Sequence, residues 1–524
     1  MIKEMISFNL QKYILPALGR GMGVGLLFFA ACSNPKLPAQ YTESEEKPDI
    51  FPEYQDVTVP VNIAPLTFHI DTEANDYVTR ITAGDQEWLY AGRDVCPTPK
   101  QWAQMVNGQM VNGQMVNGQM VNGKCQMVNV EVFVENNSKW TRLKPFAIYI
   151  SEDEIDPYIS YRLISPSYVT YEDLTINQRC LENYDESLIY GNMANSNEKD
   201  GQCINCHSYQ AYNPERMQFH VRQFLGGTII AYDGKIERID MKTGKTVSAG
   251  VYPSWHPTEK LIAYSTNKTG QSFHTHDNQK VEVQDTYSDL MLYDVEKHEV
   301  QPLPCDTNDL DCFPFWSPDG KFLYYCSAHY EKLDTAEATT KEFDMIQNYE
   351  KVKYNLYRRP FELKTKSFGE REMVFDAARD SMSATLPRIS PDGRWLLFTM
   401  GNHGVFHIWH RDADLYLMNL ATNETRRLDE VNSDNVESYH SWSSNGRWII
   451  FSSRRTDGNF TRPYIAHFDG KGHFSKPFEL PQRHPQYHRE FMRSYNIPEF
   501  MTGPVTIGSQ QFASEIRKDS IKAK

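Results

Sequence analysis

The sequence predicts an all-β protein whose larger part is a β-propeller, and three observations carry that prediction. Four segments of the second half share one pattern: YPSWHPTEKLIAYSTN from Tyr252, FPFWSPDGKFLYYCS from Phe313, LPRISPDGRWLLFTM from Leu386 and YHSWSSNGRWIIFSSR from Tyr439. Aromatic residues are abundant, with 30 Tyr, 27 Phe and 9 Trp, a composition that favours sheet over a helical bundle. Short alternating runs fill the first half. In MVNVEVFVE, Val128, Val130, Val132 and Val134 share one strand face, and Asn129, Glu131 and Glu135 lie on the other.

At 524 residues, 40% apolar and 23% charged, the chain is too long for one compact domain and too polar to live in a bilayer. Its 54 Lys and Arg stand against 68 Asp and Glu, a formal charge of -14, and an acidic body repels phosphate backbones. Nucleic acid is excluded as an expected partner.

Residues 1–31 carry Lys3, Lys12 and Arg20, then the weakly polar run GMGVGLLFFAA ahead of Cys32. That run is too short to span a membrane but has the length of a signal-peptide core. Ala30 and Ala31 before Cys32 resemble a bacterial lipoprotein cleavage box, which implies acylation of Cys32 and a lipid anchor in the membrane. The expected location is the cell envelope, on the periplasmic side. An ordinary secretory signal is the alternative. Residues 32–50 are polar and aperiodic, as a tether should be.

Residues 51–188 read as a β-rich N-terminal domain. Inside it QMVNG occurs four times in tandem from Gln104 to Gly123. A period of five flips side chains between faces at each copy, so the array cannot be one amphipathic strand. Each Asn-Gly is a turn signal. The array reads as a duplicated strand start lodged in a surface loop, without a function.

Residues 189–225 hold the motif that carries chemistry. Cys203 and Cys206 are three apart and His207 follows directly, the spacing of a c-type haem attachment site. Two thiols on one helical turn would reach the haem vinyl groups, and the adjacent imidazole would bind the iron. Asn213, Pro214 and Glu215 read as the start of a short helix. Met217, His220, Val221 and Phe224 would share one of its faces, which makes Met217 or His220 the expected second iron ligand. Met193, a distant residue or an open position are the alternatives. A zinc site, a redox dithiol or inert structure compete for the cysteine pair, but no second metal-spaced pair and no βαβ context is seen.

Residues 226–480 form the propeller. Pro-Asp-Gly supplies a preset φ, an Asx-type hydrogen bond and a positive φ in order, so each copy is a tight hairpin. From Trp255 through Trp316 and Ile389 to Trp442 the steps are 61, 73 and 53 residues, longer than the roughly 40 to 50 of a simple blade because polar inserts intervene. WSPDGK, an apolar strand and then an LYxxD strand resemble the TolB-type propeller repeat of envelope lipoproteins. The resemblance implies a ring of five or six blades, and the N-terminal strands or the tail after Pro481 would complete it.

Residues 481–524 read as a C-terminal tail, with Arg483, His484, His488 and Arg489 solvated or partly docked. Six cysteines remain outside the motif and Cys32; Cys305 and Cys312 bracket a turn and are the first pair to test for a disulfide. No GxSxG, HExxH, P-loop or GxGxxG motif is present. Two functions follow as expectations. One is a lipid-anchored monohaem c-type cytochrome passing electrons to an envelope redox partner. The other is a TolB-like scaffold whose faces bind an envelope protein or peptide, with haem absent or structural.

Overall fold

The computed structural model describes residues 35–107, 126–165, 173–197, 200–274, 279 and 281–524. Expectations for the signal segment, for Cys32 and for most of the QMVNG array lie outside the described residues. Among the described residues no helix is long and apolar enough to cross a membrane.

Six four-stranded antiparallel sheets stand around one axis. Blade 1 begins with the inner strand Gln202–Gln210, blade 2 with Val251–Trp255, blade 3 with Asp309–Trp316, blade 4 with Ser383–Ile389 and blade 5 with Glu437–Trp442. Each runs outward through hairpins to an edge strand, such as Lys235–Asp240 in blade 1 or Thr425–Arg427 in blade 4. The sixth blade is composite. Its inner strand is Ser494–Met501 from the C-terminal end, paired antiparallel with Tyr158–Ile164, which continues to Thr175–Cys180 and Glu186–Gly191. Neighbouring inner strands touch in ring order, and the sixth returns to the first. A sheet set that closes on itself removes exposed edges.

Several expected boundaries therefore move. Thr42–Glu43 pairs in parallel with Lys139–Arg142 and Ile50–Phe51 pairs with Phe68–Ile70, so part of the expected tether 32–50 is sheet of the N-terminal domain, and the propeller begins at Gln202 within the expected haem segment rather than at 226. Strands between 158 and 191 belong to blade 6, so the N-terminal domain ends before them. The segment after Pro481 is the innermost strand of the last blade, a helix Ser509–Ile516 and the strand Ile521–Lys522, which adds in parallel to the edge of blade 1. His488 is not solvated: it is buried between Glu479, whose Oε1 lies 2.5 Å from Nδ1, and the Tyr495 hydroxyl at 3.2 Å.

The N-terminal domain is a seven-stranded sheet centred on Gln126–Asn136, with a three-stranded sheet and the helix Pro99–Val106. Thr98 and Gln101 close a capping box at the helix start, which is why QMV here ends a helix while the same letters at 126–128 open a strand. Met105 and Val106 are buried with Val128 and Val130 in one core that also takes Trp448, Ile450 and Phe478 of blade 5. Asp153 fixes the junction, accepting from Trp448 through its carbonyl at 3.1 Å and from Arg447 Nε through its carboxylate at 3.0 Å. Hydrogen-bonded to His467 and paired with Arg447, that carboxyl is held down at about 2.

Candidate functional site: the axial channel

Every inner strand carries a bulge at the same place. Cys206, Tyr252, Phe313, Leu386, Tyr439 and Ile497 all have φ between 46° and 55°, and the ladder register shifts around each of them. A bulge re-aims side chains and frees ladder groups. Here the residue after the bulge is proline in four blades (Pro253, Pro314, Pro387 and Pro498) and histidine in two, His207 and His440. Proline suits a position without a ladder donor. CHSY at Cys206 and IPEF at Ile497 are thus the first and last copies of the repeat that reads YPSW, FPFW, LPRI and YHSW between them.

The six bulge residues plug the axis, where Tyr252 and Phe313 have ring centroids 4.5 Å apart and the cavity left between the plug residues is only about 30 Å³. Two residues further along each strand the axis opens into a cavity of about 250 Å³. Its wall is Ser208, Ser254, Phe315, Arg388, Ser441 and Glu499, one residue per blade, backed by Tyr209, Trp255, Trp316, Ile389, Trp442 and Phe500. Ser254 and Ser441 are tied to backbone, bonding the Trp316 N–H and the Pro498 carbonyl. Arg388 and Glu499 are not tied: among the described residues neither side chain has an ion pair or hydrogen bond, and the guanidinium lies 4.8 Å over the Phe315 ring. Burial pushes the Glu499 carboxyl up to about 7, against the pull of Arg388. Burial likewise lowers the Arg388 pKa, opposed by Glu499. An arginine and a carboxyl without an ion pair or hydrogen bond in an aromatic mouth are only partly compensated, by the Phe315 ring and by each other's field, and a ligand carrying both charges would supply the missing partners.

The expected haem segment takes a different form. Gln202–Gln210 and Asn213–Gln223 are a β-hairpin joined by Ala211 and Tyr212, both at positive φ, the geometry of a two-residue type I′ turn. The predicted helix from Asn213 does not form, because pairing on both edges, with Gln202–Gln210 and with Gly227–Tyr232, outweighs its local start signals. Met217 and His220 then fall on opposite strand faces. Met217 is in the core with Ile204, Phe219 and Phe512, and His220 Nδ1 meets Thr228 Oγ1 at 3.2 Å.

His207 repeats the role of His440. The His440 ring crosses to blade 4, with Nε2 3.1 Å from the Leu397 carbonyl and Nδ1 3.4 Å from Thr399 Oγ1. The His207 ring crosses in the same way to blade 6, beside the backbone of Ser160 and Ile497, without closing a well-aligned hydrogen bond. Burial holds both imidazoles neutral, with pKa values of about 3. Cys206 is 5% exposed in the plug, and burial raises its thiol pKa. Cys203 is half-buried, accepting from Asn205 Nδ2 at 3.4 Å. A haem does not fit these residues as they stand: the cavity at Cys206 and His207 is about 30 Å³, against roughly 300 Å³ and more for cofactor pockets. Elsewhere, Cys312 faces Cys326 across adjacent strands, and Cys305 is exposed outside that pair.

The six sheets closing around one axis define a six-bladed propeller with a cavity at one axial mouth. No family model matches the chain, and no curated protein matches it. Among solved structures it is similar to a puromycin-hydrolysing peptidase of Mycobacterium tuberculosis, at 11% identity over 69% of this chain and 52% of that one, TM-score 0.35. It is also similar to the tricorn protease, at 11% identity over 68% and 33%, TM-score 0.31. The propeller domain of the Trilobed protease from Pyrococcus furiosus matches at 10% identity over 68% and 82%, TM-score 0.28. The chain thus spans about half and a third of the first two, and the likeness is one of fold alone.

Proposed function

We propose that the chain is an exported, lipid-anchored propeller scaffold of the cell envelope that holds an extended segment of a partner protein in its axial mouth. The observation that carries this is the unpaired Arg388 and Glu499 on opposite sides of Ser441 in a cavity walled by Trp255, Trp316 and Trp442. Aromatic walls with few convergent polar groups are the usual make-up of a recognition pocket. A peptide supplies a carboxylate for Arg388, a cation for Glu499 and apolar side chains for the indoles. A photo-cross-linking residue at Ser254, expressed in the native host, should capture a defined partner, and Arg388→Ala with Glu499→Ala should abolish capture. No adduct, or adducts unchanged in the double variant, would reject the mouth as the binding site.

Electron transfer by a haem held at Cys203 and Cys206 with His207 on the iron is the second reading, favoured by the motif spacing and by the export signal. It requires the plug of blade 1 to open. Covalent haem on the mature protein, seen by haem stain and by the mass of the peptide around Cys206, would put this reading first.

A further inference from the structure

The second and third strands of blade 2, Leu261–Phe273 and Val281–Asp294, are far longer than their counterparts Trp395–Gly401 and Asp414–Asn419 in blade 4. Their overhang reaches the loop that joins those two blade 4 strands. Glu282 from the overhang and His403 and His410 from the loop meet there. Glu282 Oε2 lies 3.3 Å from His403 Nε2 and 3.2 Å from His410 Nε2, and all three donor atoms fall within 4.8 Å of one another. The Glu282 and His410 side chains are 1% and 0% exposed and that of His403 14%.

The cluster is built to be rigid but is not satisfied as a hydrogen-bond network. Neither ring nitrogen of His410 and not Oε1 of Glu282 has a hydrogen-bond partner among the described residues. Gln279 Nε2 donates to Glu282 Oε2 at 2.6 Å, the kind of outer contact that orients a ligating carboxylate. His407 does not join the cluster as a donor: its Nδ1 meets Thr385 Oγ1 at 3.0 Å and its Nε2 the His403 carbonyl at 3.2 Å, so it braces the loop. Gly404 has φ +71°, and a Cβ there would lie 3.3 Å from both Glu282 Oε1 and His410 Cε1, so a side chain would strain the backbone and crowd both donors.

Two imidazole nitrogens and one carboxylate suit a borderline divalent metal better than calcium or magnesium. Donor atoms about 2.0–2.1 Å from a tetrahedral zinc ion are about 3.4 Å apart, close to the two carboxylate–imidazole separations found here. We propose that Glu282, His403 and His410 form a zinc-class metal site, with water in the fourth position, that pins the blade 2 hairpin to the blade 4 loop. The pin also holds the plug. Phe406, between the two histidines, packs edge to face against Tyr252 and Phe313, with ring centroids 5.7 Å and 5.8 Å apart.

The test uses the full mature chain, stripped with chelator and then equilibrated with Zn²⁺ or Co²⁺. The expected result is one tightly held equivalent by elemental analysis, an intense visible Co²⁺ spectrum of four-coordinate type and a higher Tm with metal than without. His410→Ala should lose the equivalent, the spectrum and the metal-dependent Tm gain. His403→Gln, at the most exposed ligand and so the mildest for folding, should weaken binding more than about 100-fold, beyond the loss of an outer contact. No equimolar uptake by the wild-type chain would overturn the site. So would a folded His403→Gln protein, judged by circular dichroism, that binds metal as the wild type does.

Discussion

Glu499→Gln isolates the cost of holding a carboxyl in the axial mouth. The folded-state pKa of about 7 lies about 2.5 units above the ordinary 4.5, and burial is the leading cause. The native state therefore binds the proton more tightly than the unfolded chain. Stability is greatest below pH 4.5, where both states are protonated, and falls as pH rises through the interval up to about 7. At about 1.4 kcal/mol per unit, the full loss is about 3 kcal/mol for the ionised group. The glutamine variant has nearly the same shape and never ionises. At pH 8 it should be about 2–3 kcal/mol more stable than the wild type, and at pH 4 the two should coincide. Urea unfolding followed by tryptophan fluorescence at both values reads the difference directly, since the indoles of Trp255, Trp316 and Trp442 line the cavity. Equal stability of the two proteins at pH 8, or a less stable glutamine variant there, would mean that Glu499 is solvated or paired, and the mouth would lose its claim as a preformed site.

Three further outcomes are expected. Cys203→Ala with Cys206→Ala should leave the fold intact and partner capture unchanged, at a cost of about 1–2 kcal/mol for one buried and one half-buried thiol, measured by urea midpoint; loss of capture would support the haem reading. His440→Ala should cost about 1–2 kcal/mol, because it strips a partner from the buried Thr399 hydroxyl and Leu397 carbonyl, and His207→Ala should cost less, because its ring closes no aligned bond; thermal unfolding of the two variants checks the order. Arg462 is buried and donates to the carbonyls of His488 at 2.8 Å, Phe491 at 2.7 Å and Arg493 at 2.6 Å, so Arg462→Ala should cost about 3–5 kcal/mol and release the last inner strand to proteolysis.

What the sequence made legible was turn chemistry. Blades 2 to 5 are legible because a Ser- or His-led turn, such as Ser317-Pro318-Asp319-Gly320, follows the inner strand and leads into an apolar one. Blades 1 and 6 lack that sign for different physical reasons. Blade 1 turns through Ala211 and Tyr212, two residues with no turn preference that are held at positive φ by the hairpin around them. Blade 6 has no turn after Phe500, because its next strand, Tyr158–Ile164, arrives from the other end of the chain. The signal that could have found both was the bulge pair, a large or apolar residue followed by proline or histidine, with an aromatic residue or isoleucine two further on. Cys206-His207-Ser208-Tyr209 satisfies it 46 residues before Trp255, and Ile497-Pro498-Glu499-Phe500 satisfies it 58 after Trp442. Glu499 is hidden in the sequence for that reason, and Arg388, inside the legible LPRI repeat, carries no sign of a site until the ring brings the two together.

The same overlap explains why Cys203, Cys206 and His207 divide two readings so sharply. Haem attachment needs both thiols and the imidazole to face one porphyrin, which a helical turn provides and an extended strand with a bulge does not. In the closed ring Cys206 fills the position that Tyr252, Phe313, Leu386, Tyr439 and Ile497 fill in the other blades, and His207 fills that of His440. The plug these residues build also bears on function. With about 30 Å³ free at the plug, the axis has room for little more than a water molecule, so the 250 Å³ mouth is a blind pocket and not the entrance of a conduit. A blind pocket with an unpaired charge of each sign can hold a ligand but not pass one. Under the function proposed above, the rigidity of the plug, braced through Phe406 by the blade 4 loop, sets how well the mouth is preformed.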